Sequence, residues 1–167
     1  LLEMVKEIRG VEKVVVTPSK EVREKFSEEG IKTKELNIPW EVVWKKRDSY
    51  LGGKDFFYLL VAIFRFLLLV KEEKPHLIYT NSQKAHIIGV IGGKFMGRGV
   101  VVHFRDILPK RIDIKIWLHF LCRLSDAVIA ISKSVAKSLP KSNKIRVVYN
   151  GVKIKSLPKN SPPPPYK

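Results

Sequence analysis

The sequence predicts a single doubly wound, mostly parallel α/β domain of three layers, and three observations predict it. Within DAVIAISKSVAKSLPKSNKIRVVYNG, residues 126–151, two β-branched runs bracket a compact helical segment, which is the strand, helix, strand unit of a parallel sheet. The same alternation recurs upstream, where HLIYT and VVVHF are each followed by a helical stretch. Finally, 167 residues with 45% apolar content enclose one sizeable core but fall short of two α/β domains with separate cores.

Taken in order, LLEMVKEIRG reads as the end of a helix closed by Gly10, and Val14, Val15 and Val16 as a short buried strand stopped by Thr17 and Pro18. Ser19 caps the helix EVREKFSEEG, with Glu21 at its positive dipole end and Gly30 as the left-handed stop. IKTKEL alternates as an exposed strand. Residues 37–53 hold Pro39, Trp40, Trp44 and a Gly52-Gly53 pair, and read as a long connection anchored by its aromatics.

A heavily apolar helix over residues 56–70, extended by KEEK and ended by Pro75, precedes the inward-facing strand HLIYT. Ser82 caps AHIIGVIGGKFMG, whose small residues let that helix lie close to a sheet. VVVHF, the linker RDILPKR, the helix IDIKIWLHFLCRLS and the strand AVIAIS follow. Ser132 or Ser134 caps a short helix that stops near Pro140, and IRVVY completes six strands. Four successive prolines make GVKIKSLPKNSPPPPYK a stiff, extended tail or linker.

Composition narrows the chemistry. A formal charge of +16 attracts anions, whether phosphate groups, nucleic acid or acidic lipid headgroups, without choosing among them. There is no zinc module, compact basic helix or aromatic RNA-binding motif, which argues against nucleic acid. Cys122 is the only cysteine and falls in the apolar run IWLHFLCRL, so it reads as a buried helical thiol. The histidines lack HxxxH or His/Cys spacing, and no metal is predicted.

The run FFYLLVAIFRFLLLV is too short to span a bilayer and carries Arg65. It reads either as a helix wedged between the sheet and a neighbouring element or as an interfacial helix touching lipid. The opening residues show no signal-peptide pattern. Gly89, Gly92, Gly93 and Gly97 sit within or at the end of a helix rather than in a strand-to-helix turn, which rejects a nicotinamide dinucleotide fingerprint.

Three stretches, KPHLIYTNSQKAHIIGVIGGKFMGRGVVVHFRD, LSDAVIAISKSVAKSL and KIRVVYNGV, resemble the N-terminal domain of retaining glycosyltransferases with two facing Rossmann-like domains, the GT-B arrangement, and in particular glycosyltransferase family 4. The resemblance covers residues 1–152, most strongly from Pro75 to Val152. It implies a Rossmann-like acceptor-side domain over 1–152 and a Lys/Pro-rich linker or tail over 153–167. It also implies a first strand with a glycine-rich loop ahead of LLEMVKEIRG, and a C-terminal domain carrying most nucleotide-sugar contacts. The activity so implied is transfer of a sugar from a nucleotide donor to a hydroxyl with retention at the anomeric carbon, in a cleft between the domains. The chain alone is then expected to be inactive and to hold no cofactor, with a nucleotide sugar expected only for the complete enzyme.

In open α/β folds, ligands bind beyond the carboxyl ends of the strands, which selects the candidate residues. His103, Arg105 and Asp106 lie where VVVHF meets its loop; the Arg105-Asp106 pair resembles the family's H-D wording, with His103 two residues earlier. Arg105 reads as an oxyanion contact or as part of an ion network with Asp106, and His103 as a packed strand residue or a ligand contact. Asn81, Ser82 and Gln83 open a helix where a sugar hydroxyl or phosphate can be received, although capping also explains Ser82. Ser132 and Lys133 hold the analogous place after AVIAIS. Asn150 and Gly151 mark the interdomain edge, with Gly151 supplying positive φ for a tight turn.

The expected partners are the missing C-terminal domain and a sugar, lipid-linked or phosphate-bearing acceptor. Peripheral contact with the inner face of a membrane from the cytoplasm and a homodimer through an exposed cleft face are further expectations. The competing reading is a non-catalytic ligand- or anion-binding domain on the same scaffold.

Overall fold

The computed structural model describes residues 2–38, 53–108 and 111–151. Over these the chain runs α1 (Leu2–Glu7), β1 (Val14–Thr17), α2 (Lys20–Glu28), β2 (Lys32–Glu35), α3 (Gly53–Glu73), β3 (Leu77–Thr80), α4 (Gln83–Phe95), β4 (Gly99–Phe104), α5 (Ile112–Leu124), β5 (Ala127–Ala130), α6 (Lys133–Ser138) and β6 (Ile145–Val147). Every strand pair is parallel: β1 with β2, and a four-stranded sheet in the order β3-β4-β5-β6. Parallel neighbours cannot be joined by a tight hairpin, so α4, α5 and α6 are the crossovers that the pairing demands. The result is the three-layer, mostly parallel Rossmann-like domain that the sequence predicts.

Local sequence sets the element limits. Ser19, Ser82 and Ser132 each hold extended backbone and accept a backbone N–H three residues on, from Val22, Ala85 and Val135. At the other ends Gly30 and Gly97 take φ of 70° and 66°, a left-handed conformation that is cheap only for glycine. α5 starts differently, since Arg111 at its N-cap makes no side-chain cap bond. Asp113 in its first turn suits the helix dipole and pairs with Arg111 at 2.5 Å.

One face of the four-stranded sheet carries the core. Ile78, Val100, Val102, Phe104, Val128 and Ala130 pack with Leu59, Ala62, Phe66 and Val70 of α3, Ile88 and Val90 of α4, and Leu118 and Leu121 of α5. Two glycines let α4 sink into this layer. A Cβ at Gly93 would meet Val100 Cγ2 at 2.6 Å, and one at Gly92 would meet Phe66 Cδ1 at 2.7 Å. Cys122 is buried on α5, and burial pushes its thiol up to about 11, as expected of an inert packed cysteine.

Asp126, just ahead of β5, ties the amino-terminal edge of the sheet together. Its carboxylate accepts from Lys94 Nζ of α4 at 2.6 Å and from the Val100 N–H of β4 at 2.7 Å, and these bonds hold it below the usual carboxylate range. The β1-β2 pair is linked to the end of α3 by Lys32 with Glu73 at 2.6 Å and Lys34 with Glu72 at 2.5 Å.

Several expectations need correction. β1 is half-buried along its whole length rather than buried, because its described pairing is to β2 alone. Leu77, at the start of β3, is exposed instead of inward-facing. The apolar helix begins at Gly53, and it is not enclosed on both sides by the described residues: Phe57, Leu60, Phe64 and Leu68 lie exposed on the face opposite the core. α5 likewise exposes Ile112, Ile116, Trp117 and Phe120. Gly151 does not take positive φ, and the Val148 N–H donates to Ala130 O at 2.9 Å, prolonging the pairing of β6; a turn centred on Asn150 and Gly151 would include residue 152, which lies outside the described residues. The aromatic connection over 39–52 and the proline-rich tail lie outside the described residues.

Candidate functional site

Strand register puts the carboxyl ends of the four strands at one edge. Thr80 lies beside Val102, Phe104 beside Ala130, and Ala130 beside Val147. Asn81, Arg105, Ser132 and Asn150 therefore all follow strand ends on the same side. Among the described residues, a cavity lies at the β3 and β4 end.

A cavity of about 20 Å³ opens between the start of α4 and the end of β4. Asn81, Ser82, Gln83 and His86 line one wall, and His103, Phe104, Arg105, Asp106 and Leu108 the other. Six of the eight candidate contact residues thus meet at one place. Ser132 and Lys133 do not join them: Ser132 Oγ is used at 3.1 Å by the Val135 N–H, and Lys133 is exposed. Asn150 and Gly151 are exposed at the end of β6.

Behind the cavity lies a polar layer in which Thr80, His86 and Tyr79, none of them candidates from the sequence, join His103. Thr80 Oγ1 sits 2.8 Å from His86 Nδ1 and donates to Val101 O at 3.3 Å, so His86 donates its Nδ1–H to the threonine. His86 is only 2% exposed, its ring edge-on to Phe104 with centroids 4.7 Å apart. Burial, then the neighbouring His103, pushes its pKa down to about 3, so the ring is neutral at physiological pH.

His103 is 7% exposed and shares a hydrogen bond through Nδ1 with the Tyr79 hydroxyl, the two rings meeting edge to face at 5.7 Å. Burial and the Arg105 charge hold His103 below its ordinary value, while burial pushes the Tyr79 phenol up to about 12. Both groups are accordingly uncharged. Tyr79 also reaches Met4 Sδ of α1 at 3.5 Å.

Among the described residues, four buried side-chain polar atoms have no hydrogen-bond partner: Asn81 Oδ1, Gln83 Nε2, His103 Nε2 and Arg98 Nε. The first three belong to residues lining the cavity. Buried polar atoms are normally paired, so their concentration here marks a place prepared for a ligand or ordered water. Of the residues that sequence reasoning missed, His86 had a visible signal, a polar side chain on the buried α4 face that also carries Val90 and Gly93. Tyr79 had none, because its partner is chosen by strand register.

The sequence profile of Glycosyltransferase Family 4 matches residues 3–156. The chain belongs to glycosyltransferase family 4. No curated protein matches this family 4 chain. Among solved structures, Anabaena HepE in complex with UDP is 21% identical with a TM-score of 0.65, covering 90% of this chain and 39% of HepE. HepE in complex with UDP and glucose is 19% identical with a TM-score of 0.63, covering 83% and 36%. A glycosyltransferase from Rickettsia africae is 14% identical with a TM-score of 0.61, covering 83% and 35%. At these identities the likeness concerns the fold, and the family 4 chain spans well under half the length of each of these structures.

Proposed function

We propose that this chain is the acceptor-side half of a retaining, two-domain glycosyltransferase, in which residues 1–152 hold the acceptor, residues 153–167 serve as linker or tail, and a second domain holds the nucleotide sugar. The observation that carries the reading is the cluster of partnerless polar atoms of Asn81, Gln83 and His103 at the carboxyl edge of the sheet in a family 4 chain. Arg105, exposed on the cavity rim with Asp106, carries a planar guanidinium that suits oxyanions such as the diphosphate that leaves in sugar transfer. Transfer also requires water to be excluded from the anomeric centre, which one open edge does not accomplish.

The acceptor of this reading is carried on a membrane surface. The exposed apolar stripe of Phe57, Leu60, Phe64 and Leu68 on α3, that of Ile112, Ile116 and Phe120 on α5, and the +16 formal charge support peripheral contact with anionic lipid. No described helix is long and apolar enough to cross a bilayer.

The test is a transfer assay with UDP-, GDP- and ADP-sugars, beginning with UDP-glucose because HepE binds UDP and glucose. It uses lipid-linked and soluble acceptors, with the chain alone and with a donor-binding family 4 domain supplied in trans. The expected result is no transfer by the chain alone and transfer with retained anomeric configuration in the mixture. Inversion overturns the retaining mechanism, and turnover by the chain alone overturns the division of labour.

A further inference from the structure

The partnerless atoms in the cavity are a mixed set, and the mixture specifies what they receive. Asn81 Oδ1 needs a donor and Gln83 Nε2 needs an acceptor. His103 Nε2 takes either role. When the Tyr79 hydroxyl donates to Nδ1, Nε2 carries the ring hydrogen; when Nδ1–H donates to the phenol oxygen, Nε2 accepts. With the Tyr79 hydroxyl donating to Nδ1, a single hydroxyl satisfies all three atoms: it gives its one hydrogen to Asn81 Oδ1 and fills its two lone pairs from Gln83 Nε2 and His103 Nε2.

Size and polarity point the same way. About 20 Å³ is enough to accommodate a water-sized group such as a hydroxyl. A carboxylate or phosphodiester oxygen at neutral pH only accepts, so it would leave Asn81 Oδ1 facing an anion; a phosphate that keeps a P–OH still brings net negative charge, and an ammonium only donates. His103 is itself more than nine-tenths buried, and an environment that keeps two imidazoles uncharged also penalises entry of a charged oxygen.

We propose that this cavity is a subsite for one neutral hydroxyl of a sugar or related polyol, read jointly by Asn81, Gln83 and His103 and closed to anionic oxygens, which are left to Arg105 on the rim. Tyr79 acts here as a positioning residue, fixing the His103 ring through Nδ1. The inference rests on the acceptor-side reading and narrows it: the group recognised in the recess is the acceptor's sugar hydroxyl rather than its phosphate.

The test follows the imidazole nitrogen resonances of the full chain by NMR while glucose, galactose, N-acetylglucosamine or inorganic phosphate is added at constant ionic strength. At least one sugar is expected to shift His103 Nε2 saturably, with phosphate leaving it unmoved. Among deoxy analogues of that sugar, one position alone is expected to lose the effect. Gln83→Leu, at the solvent-accessible start of α4, is expected to weaken the same sugar about tenfold, the loss of one hydrogen bond. Asn81→Leu is the second variant should the first fail to fold.

A saturable shift with phosphate overturns the hydroxyl subsite while leaving a phosphate-bearing acceptor, and so the transferase reading, intact. No shift with any sugar means that the cavity holds water alone, which also overturns it. Failure of the transferase reading is instead registered by the transfer assay.

Discussion

The β3-α4-β4 unit and the β5-α6-β6 unit are built to one plan, yet the cavity is lined from the first and by none of the described residues of α6 or β6. Each has a strand end, a serine cap and a crossover helix beginning at the same sheet edge. α4 runs thirteen residues and is sunk by its glycines against Val100 and Phe66, and at its head Asn81 Oδ1 and Gln83 Nε2 are buried although their residues are only half-buried. α6 runs six residues, and Lys133 and Ser134 at its head are left in solvent. The capping motif alone therefore does not mark a site; the depth to which the helix is buried does.

The largest break in this comparison comes from pH. Folded His86 takes a proton only near pH 3, whereas an unfolded histidine does so near about 6.5. Between those values the unfolded state binds more protons, so stability falls as pH falls, by about 1.4 kcal/mol per pH unit from this group, and above about 6.5 its contribution is constant. Urea unfolding at a series of pH values measures the slope. His86→Gln is expected to flatten it, and an unchanged slope would place the proton elsewhere.

Next is the depth of α4. Gly93→Val drives a side chain into Val100 and is expected to cost about 2–3 kcal/mol, read as a lower urea midpoint at constant m. Ser134→Val, at an exposed position of α6, is the matched control and is expected to cost under about 1 kcal/mol. Equal losses would abolish the distinction between the two units.

Thr80→Val removes the acceptor for His86 Nδ1–H while keeping the shape of the side chain. The expected cost is about 1–3 kcal/mol, the penalty for stranding a buried donor. The smallest effect sharpens the other side: Ser132→Ala is expected to lose about 1 kcal/mol as an ordinary cap and to leave sugar binding unchanged. A loss of sugar affinity in that variant would extend the site to β5.

What the sequence disclosed was what local chemistry controls. Ser19, Ser82 and Ser132 as caps, Gly30 as a stop, and the hydrophobic runs of β4 and β5 are each decided within a few residues. The edge location of Asn81, Gln83, Arg105 and Asp106 followed from strand order, which alternation with helices makes legible. The Tyr79 and His103 pair did not, because it lies diagonally across the β3-β4 ladder and depends on a register fixed by distant packing. The positive φ expected of Gly151 is absent for a related reason. An Asn-Gly pair signals left-handed backbone in tight turns, whereas β6 runs on beside β5 through Val148.

Asp126 clasps α4, β4 and β5 at the far edge of the sheet from the cavity. Because that clasp fixes the strands from behind, residues at the front can change without loosening the frame. On the proposed acceptor-side reading, drift in Asn81, Gln83 or the residues following β4 would alter which hydroxyl is recognised while the architecture stays the same, so that a lineage carrying this scaffold would acquire new acceptors by replacing a few side chains at one rim.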